Sequence, residues 1–194
     1  IFHGDSDDVV PVECSRIAYR DLRAAGADVE YIEFPGCNHG SWNPAFNYPD
    51  YDPQTMERGF LSFDRSEGLE CIRIKEKGCV DAETLYPLDI PADGLLPLTR
   101  ETFDKIDTIM LQDGQIGSVA LYRTDRTPWL KLSFEAPVVG IWSPPGKNAP
   151  FICLGPWYGR CDRAGYEGDY RDRDWVNLLA PGEKFSSVYT IEIA

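Results

Sequence analysis

The run Trp157-Tyr158-Gly159-Arg160-Cys161-Asp162 places two aromatic rings beside a guanidinium and a carboxylate. Such a set suits a sugar, which offers a C–H face for stacking and hydroxyls that both donate and accept hydrogen bonds. The preceding residues Phe151-Ile152-Cys153-Leu154 are apolar, too few for a helix and bounded by Pro150 and Pro156. They predict a buried strand ending in a sharp turn that lifts Trp157 and Tyr158 to a surface. The same residues also read as a core strand with a structural tryptophan, and Arg160 with Asp162 as a surface ion pair of little energetic weight. Proton transfer through imidazole is restricted to the amino end, because His3 and His39 are the only histidines.

The chain has 194 residues, 43% of them hydrophobic, enough for a real core in one or two domains. A formal net charge of -13 argues against nucleic acid or an anionic membrane as partner, since both are held by clustered Lys and Arg. No apolar run approaches the roughly 20 residues that span a bilayer, and none follows a charged start as in a signal peptide. Cys14, Cys37, Cys71, Cys79, Cys153 and Cys161 lack the close spacing of a zinc knuckle or redox pair and read as free thiols of a reducing, cytoplasmic compartment. P-loop, EF-hand and dinucleotide fingerprints are missing, so no cofactor and no metal is expected.

At the amino end, Ile1-Phe2-His3-Gly4 reads as the end of a strand and Asp5 to Pro11 as a polar loop. A helix is expected over Val12–Ala25, with Ile17, Ala18, Leu22 and Ala25 near one face and Gly26 as its stop. Val29–Phe34 is the next strand. Strand, helix, strand predicts part of a parallel α/β sheet, and His39 falls in the loop at the second strand's carboxyl end, where such sheets place sites. The stretch His3-Gly4-Asp5-Ser6-Asp7-Asp8-Val9-Val10-Pro11, with the Gly-x-x-His turn at Gly36 to His39, resembles the last part of an α/β-hydrolase. That resemblance implies Asp7 as the acid and His39 as the general base of a triad. Asp7 would hold one imidazole tautomer and His39 would accept a serine proton. The G-x-S-x-G nucleophile elbow of that family is absent, so over residues 1–50 the implied pair is a remnant.

Asn43 to Glu57 contains Pro44, Pro49 and Pro53 and is expected to be irregular, with a junction at 51–58. From 59 to 194 the pattern becomes short strands separated by Gly, Pro and Asp turns: 60–63, 70–75, 108–111, 118–123, 130–134, 138–142, 151–154 and 188–193. That spacing predicts a mainly antiparallel sandwich or barrel. One short helix interrupts it, with Thr99 as N-cap. The fold class is therefore mainly β, preceded by a short α/β segment.

Leu96-Pro97-Leu98, Phe103 to Leu111, Gly140-Ile141-Trp142-Ser143, Ala149 to Cys153, Pro156-Trp157-Tyr158-Gly159 and Leu179 to Glu183 resemble the aldose 1-epimerase (galactose mutarotase-like) family. The likeness implies the carboxyl-terminal half of its sugar-binding sandwich. In that family a carboxylate deprotonates the anomeric hydroxyl while a histidine protonates the ring oxygen. The carboxylate belongs to a Cys-hydrophobic-Glu-Pro motif, where this chain has Gly155, and the histidine precedes Pro-Ala-Phe-Asn, where it has Asn43. Asp107 matches an acidic position near the sugar hydroxyls, and Trp157, Arg160 and Asp162 fit a pocket rim. Asp107 also reads as an ordinary turn residue. The expectation is a hexose-binding, catalytically impaired domain; a serine-esterase remnant carrying Asp7 and His39, or a chimeric product without selected activity, are the alternatives. The charge runs Glu167-Gly168-Asp169 and Arg171-Asp172-Arg173-Asp174 read as solvated loops or as a metal site or switch.

Overall fold

The computed structural model of the protein describes residues 1–38, 45–50, 58–76, 78–147 and 149–194. The chain divides into two compact units, Ile1–Ala45 and Phe46–Ala194. Most of the junction expected at 51–58 lies outside the described residues.

In the first unit, strand β1 (Phe2–Gly4) pairs in parallel with β2 (Ile32–Phe34), and helix α1 (Val12–Ala24) connects them. Glu13 in the first turn and Arg23 in the last complement the helix dipole. The helix stops in a Schellman arrangement: the Ala27 N–H donates to Leu22 O at 2.9 Å and the Gly26 N–H to Arg23 O at 3.0 Å. Gly26 reaches φ 81 there, a conformation that a side chain would strain. Gly4 is fixed for a different reason, since a Cβ at that position would stand 2.1 Å from the Cys37 carbonyl oxygen. Arg16 clamps the helix to β2 through two bonds onto Glu33, at 2.9 and 2.6 Å, and the Tyr31 hydroxyl donates to the same carboxylate at 2.7 Å.

The second unit is two sheets built around one core. It contains β3 (Ala45–Asn47), β4 (Phe60–Phe63), β5 (Glu70–Glu76), β6 (Cys79–Pro87), β7 (Leu96–Pro97), α2 (Arg100–Ile106), β8 (Thr108–Leu111), β9 (Ser118–Tyr122), β10 (Pro128–Phe134), β11 (Val138–Trp142), β12 (Phe151–Trp157) and β13 (Tyr189–Ile193). The five-stranded sheet has the order β13-β10-β9-β4-β7 and the six-stranded sheet β3-β12-β11-β8-β5-β6. Leu61, Val119, Leu121 and Leu132 from the first meet Ile109, Leu111, Ile141, Ile152 and Leu154 from the second. Period-two alternation decides which residues go inward: on β12, Ile152 and Leu154 face this core and Cys153, Gly155 and Trp157 face away. Helix α2 starts where Thr99 was expected to cap it, with the Thr99 N–H donating to Thr102 Oγ1 at 3.0 Å. It buries Phe103 in the core.

Two strand boundaries differ from the sequence reading. β12 continues through Pro156 to Trp157 instead of turning after Leu154. Its neighbour β3 is only three residues long, so the far end of β12 behaves as an edge where a proline's missing N–H costs no ladder bond. β6 was not anticipated, because Asp81, Glu83 and Thr84 mask the alternation in a strand lying at the end of the sheet order.

Ile141→Ala removes a fully buried side chain where the two sheets meet. It is expected to destabilise the fold by about 2–5 kcal/mol, read as a lower urea midpoint at unchanged slope. The Arg16 guanidinium, then the Tyr31 hydroxyl, hold the Glu33 carboxyl down from 4.5 to about 2. A depressed pKa means that this contribution is present above about pH 4.5 and is lost as the pH falls toward 2. Glu33→Gln should therefore flatten the melting temperature profile across that window.

Candidate functional site

The site is assembled on the face of the six-stranded sheet that points away from the sandwich core. Ile72, Val80, Met110 and Val138 form a second apolar cluster there, and Trp157, Cys161 and Trp175 pack against it. At its centre Gly140 and Gly155 stand directly opposite one another on β11 and β12. Two facing glycines leave a patch of bare backbone, and the Trp157 indole lies across it. A Cβ on Gly140 would meet the benzo ring at 2.1 Å, and one on Gly155 would meet Nε1 at 2.4 Å. Position 155, where the mutarotase resemblance calls for a glutamate, is therefore covered by the chain's own tryptophan.

Residues 160 to 176 cross this face. The segment is stitched to β6 by the Val80 N–H donating to Asp162 O at 2.8 Å and the Ala164 N–H donating to Val80 O at 2.9 Å. Arg160 and Asp162 do not pair with each other. Arg160 bonds Asp174 Oδ2 at 2.8 Å, Gln112 Oε1 at 3.3 Å and the Cys161 carbonyl at 3.0 Å, while Asp162 accepts from Arg173 Nε. These two cross-links turn Arg173 and Asp174 inward. Arg171 and Asp172 are exposed, so the charge run read as a solvated loop is half structural. Trp175, next to Asp174, sits at φ 61, a conformation uncommon for a bulky side chain.

The Arg160 side chain is only 2% exposed. Three of its five N–H donors are used in the bonds above, which leaves two for an acceptor brought from outside. It forms the wall between two depressions. The larger, about 490 Å³, is lined also by Glu83, Gln112, Asp113, Arg163 and Trp175. The smaller, about 200 Å³, is bounded by Tyr170, Arg173 and Asn177. Carboxylates, a guanidinium and an indole converge here on a polar hollow open to solvent, a combination suited to hydroxyl recognition. Burial pushes the Cys153 and Cys161 thiols up, so neither supplies a thiolate nucleophile at neutral pH. Among the described residues no group of three or more His, Cys, Asp or Glu could hold a metal ion.

Of the residues singled out in the sequence, Trp157, Arg160 and Asp162 belong to this face. Asp107 does not reach it. It ends α2 at φ 65, accepts from Thr108 Oγ1 at 2.8 Å, and lies a full strand length along β8 from Gln112. Gln112, Asp174 and Trp175 were missed, and only the indole of Trp175 carried a signal that could have found them. In the first unit Asp7 accepts from the Val9 and Val10 N–H groups at 2.9 and 2.8 Å and stands 3.1 Å from His3 Nε2. His3 is buried, with Ser15 Oγ 2.6 Å from Nδ1 and the Val10 carbonyl 2.9 Å from Nε2. Both acceptors facing Nε2 require the proton there, leaving Nδ1 to accept from the Ser15 hydroxyl. His39 and Asn43 lie outside the described residues.

Two solved structures share this architecture. One is the X-ray structure of a galactose mutarotase related enzyme from Lactobacillus acidophilus, 25% identical, with a TM-score of 0.64 over 78% of this chain and 50% of that one. The other is a galactose mutarotase-like protein from Lactobacillus casei, 24% identical, with a TM-score of 0.60 over 77% of this chain and 50% of that one. The chain thus carries an antiparallel β-sandwich of mainly β class, and its fold is galactose-mutarotase-like. It spans about half the length of each structure it matches. No family model and no curated protein matches the sequence. Neither likeness speaks to the α/β-hydrolase resemblance of residues 1–50. No helix among the described residues is long and apolar enough to cross a membrane.

Gly155→Ala and Gly140→Ala each drive a methyl group into the space occupied by the indole. Both should destabilise by about 1–3 kcal/mol. Tryptophan emission should shift to the red as the ring of Trp157 moves toward water. An unchanged spectrum in both variants would show that the indole does not rest on the glycine pair.

Proposed function

We propose that this chain is a mutarotase-like carbohydrate-binding domain that holds a hexose on the outer face of its six-stranded sheet without interconverting the anomers. The observation that carries the reading is Arg160, a buried guanidinium with two N–H donors to spare beside Trp175. Sugar hydroxyls accept from Arg160 and donate to the carboxylates of Glu83 and Asp174, while the indole of Trp175 takes a C–H face. Asp162 acts through Arg173, and so positions the segment instead of touching the ligand. Asp107 has no part in this hollow.

Anomerisation needs a proton acceptor at the anomeric hydroxyl and a donor at the ring oxygen, and each is worth about 10²–10⁴-fold. Glycine at 155 offers neither, and the covering indole keeps another carboxylate from standing in that place. The full-length enzymes' activity is thus not assigned to this chain.

Binding is tested by calorimetric titration and thermal shift with galactose and glucose. The expected result is saturable binding that weakens at least tenfold in Trp175→Ala and in Arg160→Lys, which keeps the charge but loses the planar fork. Absence of heat and of thermal stabilisation with both sugars overturns the binding reading. Polarimetry of freshly dissolved α-anomers should give the buffer rate with the wild-type protein and with Gly155→Glu. Wild-type rates well above buffer would sink the claim of lost catalysis.

A further inference from the structure

We infer that the protein forms a two-fold dimer in which β13 of one copy pairs antiparallel with β13 of a second, joining two five-stranded sheets into one. The two ends of that sheet are built differently. β7 is two residues long and contains Pro97, a short and proline-blocked edge of the sort that discourages further pairing. β13 is five residues long with no proline, no bulge in its pairing to β10 and no inward-pointing charge.

Its side chains also show an unfinished layer. Tyr189, Ile191 and Ile193 lie directly opposite Phe134, Leu132 and Leu130, so they project from the same face of the sheet. Those three partners are buried in the core, whereas Tyr189, Ile191 and Ile193 are 50%, 42% and 68% exposed. Apolar residues on a core-facing row, next to an edge with unpaired backbone groups, are a template for another strand.

The chemistry of the strand selects a copy of itself. Tyr-Thr-Ile-Glu-Ile alternates symmetrically about Ile191. With the dyad at that residue, Ile191 meets Ile191 of the second copy, Tyr189 meets Ile193, and Thr190 meets Glu192. Every apolar side chain thus faces an apolar one, and the two glutamates never face each other. Two chains of net charge -13 repel over most of their surface. This edge is an exception, because Glu192 stands opposite Lys131 on β10 and cancels it. The arrangement is isologous and closes at two copies.

Sedimentation velocity of the full chain between about 1 and 100 µM is expected to show a species of twice the 21.9 kDa chain mass that grows with concentration. Ile191→Glu puts two like charges at the dyad and should raise the dissociation constant at least tenfold, while Leu85→Glu, on the outer strand of the other sheet, leaves it unchanged. Circular dichroism confirms that each variant is folded. Should Ile191→Glu fail to fold, Ile191→Cys takes its place. Diamide then oxidises the two new thiols to a disulfide across the dyad and is itself reduced, and peptide mass spectrometry finds the chains joined through position 191. A monomer at every concentration, a dimer that survives folded Ile191→Glu, a dimer that a folded Leu85→Glu dissociates, an open series of larger species, or Ile191→Cys chains not joined through position 191 overturns the proposal.

Discussion

The six-stranded sheet is apolar on both faces, and this constraint organises the second unit. Ile109 and Leu111 on β8 point into the sandwich while Met110 between them points out, and all three are buried. One face is covered by the five-stranded sheet. The other must be covered by chain that has no regular structure of its own, apart from one short 3-10 turn at Tyr170–Asp172. Irregular backbone over an apolar surface needs its polar groups tied down, and the Arg160–Asp174 and Asp162–Arg173 pairs do this. The polar hollow is a by-product of that solution. Charges placed to hold the cover also leave donors and carboxylates facing water beside an indole.

Holding a cover through buried charge has a directional energetic character. A guanidinium that is nearly inaccessible stabilises the fold only while its carboxylate is present, and removing one partner leaves an uncompensated charge. Arg160 is in that position, whereas the exposed pair of Arg126 and Asp93 adds little. The distinction explains why Arg160 can serve both as strut and as candidate ligand contact. Its geometry is fixed before any sugar arrives, so little side-chain entropy remains to be lost on binding.

Much of the sandwich was legible in the sequence. Strands such as Thr108–Leu111 and Val138–Trp142 are apolar runs bounded by Gly, Pro or Asp, and there the pattern and the fold agree. Thr99 marked the start of α2 and Gly26 the end of α1 because capping depends on local geometry alone. β6 was hidden because an edge strand tolerates charge on both faces, which erases the alternation. Pro156 was taken for a turn because sequence does not reveal that the adjoining strand stops short. Trp157, Arg160 and Asp162 were identifiable by residue type, but their partners Gln112, Arg173 and Asp174 come from 11 to 48 positions away. Spacing along the chain carries no information about such pairs. Asp107 shows the converse: a family position can be matched in the alignment of residues yet lie at the wrong end of a strand.

The seat beneath Trp157 also orders the ways in which this sheet could change. Neither glycine can gain a side chain while the ring is in place, and a smaller residue at 157 would expose bare backbone and the apolar cluster around it. Substitutions at 140, 155 and 157 are therefore strongly non-additive. A lineage acquiring an acidic group at 155 would have to shed the tryptophan first, passing through a less stable intermediate sequence, and that historical barrier helps keep such a group from arising by single steps.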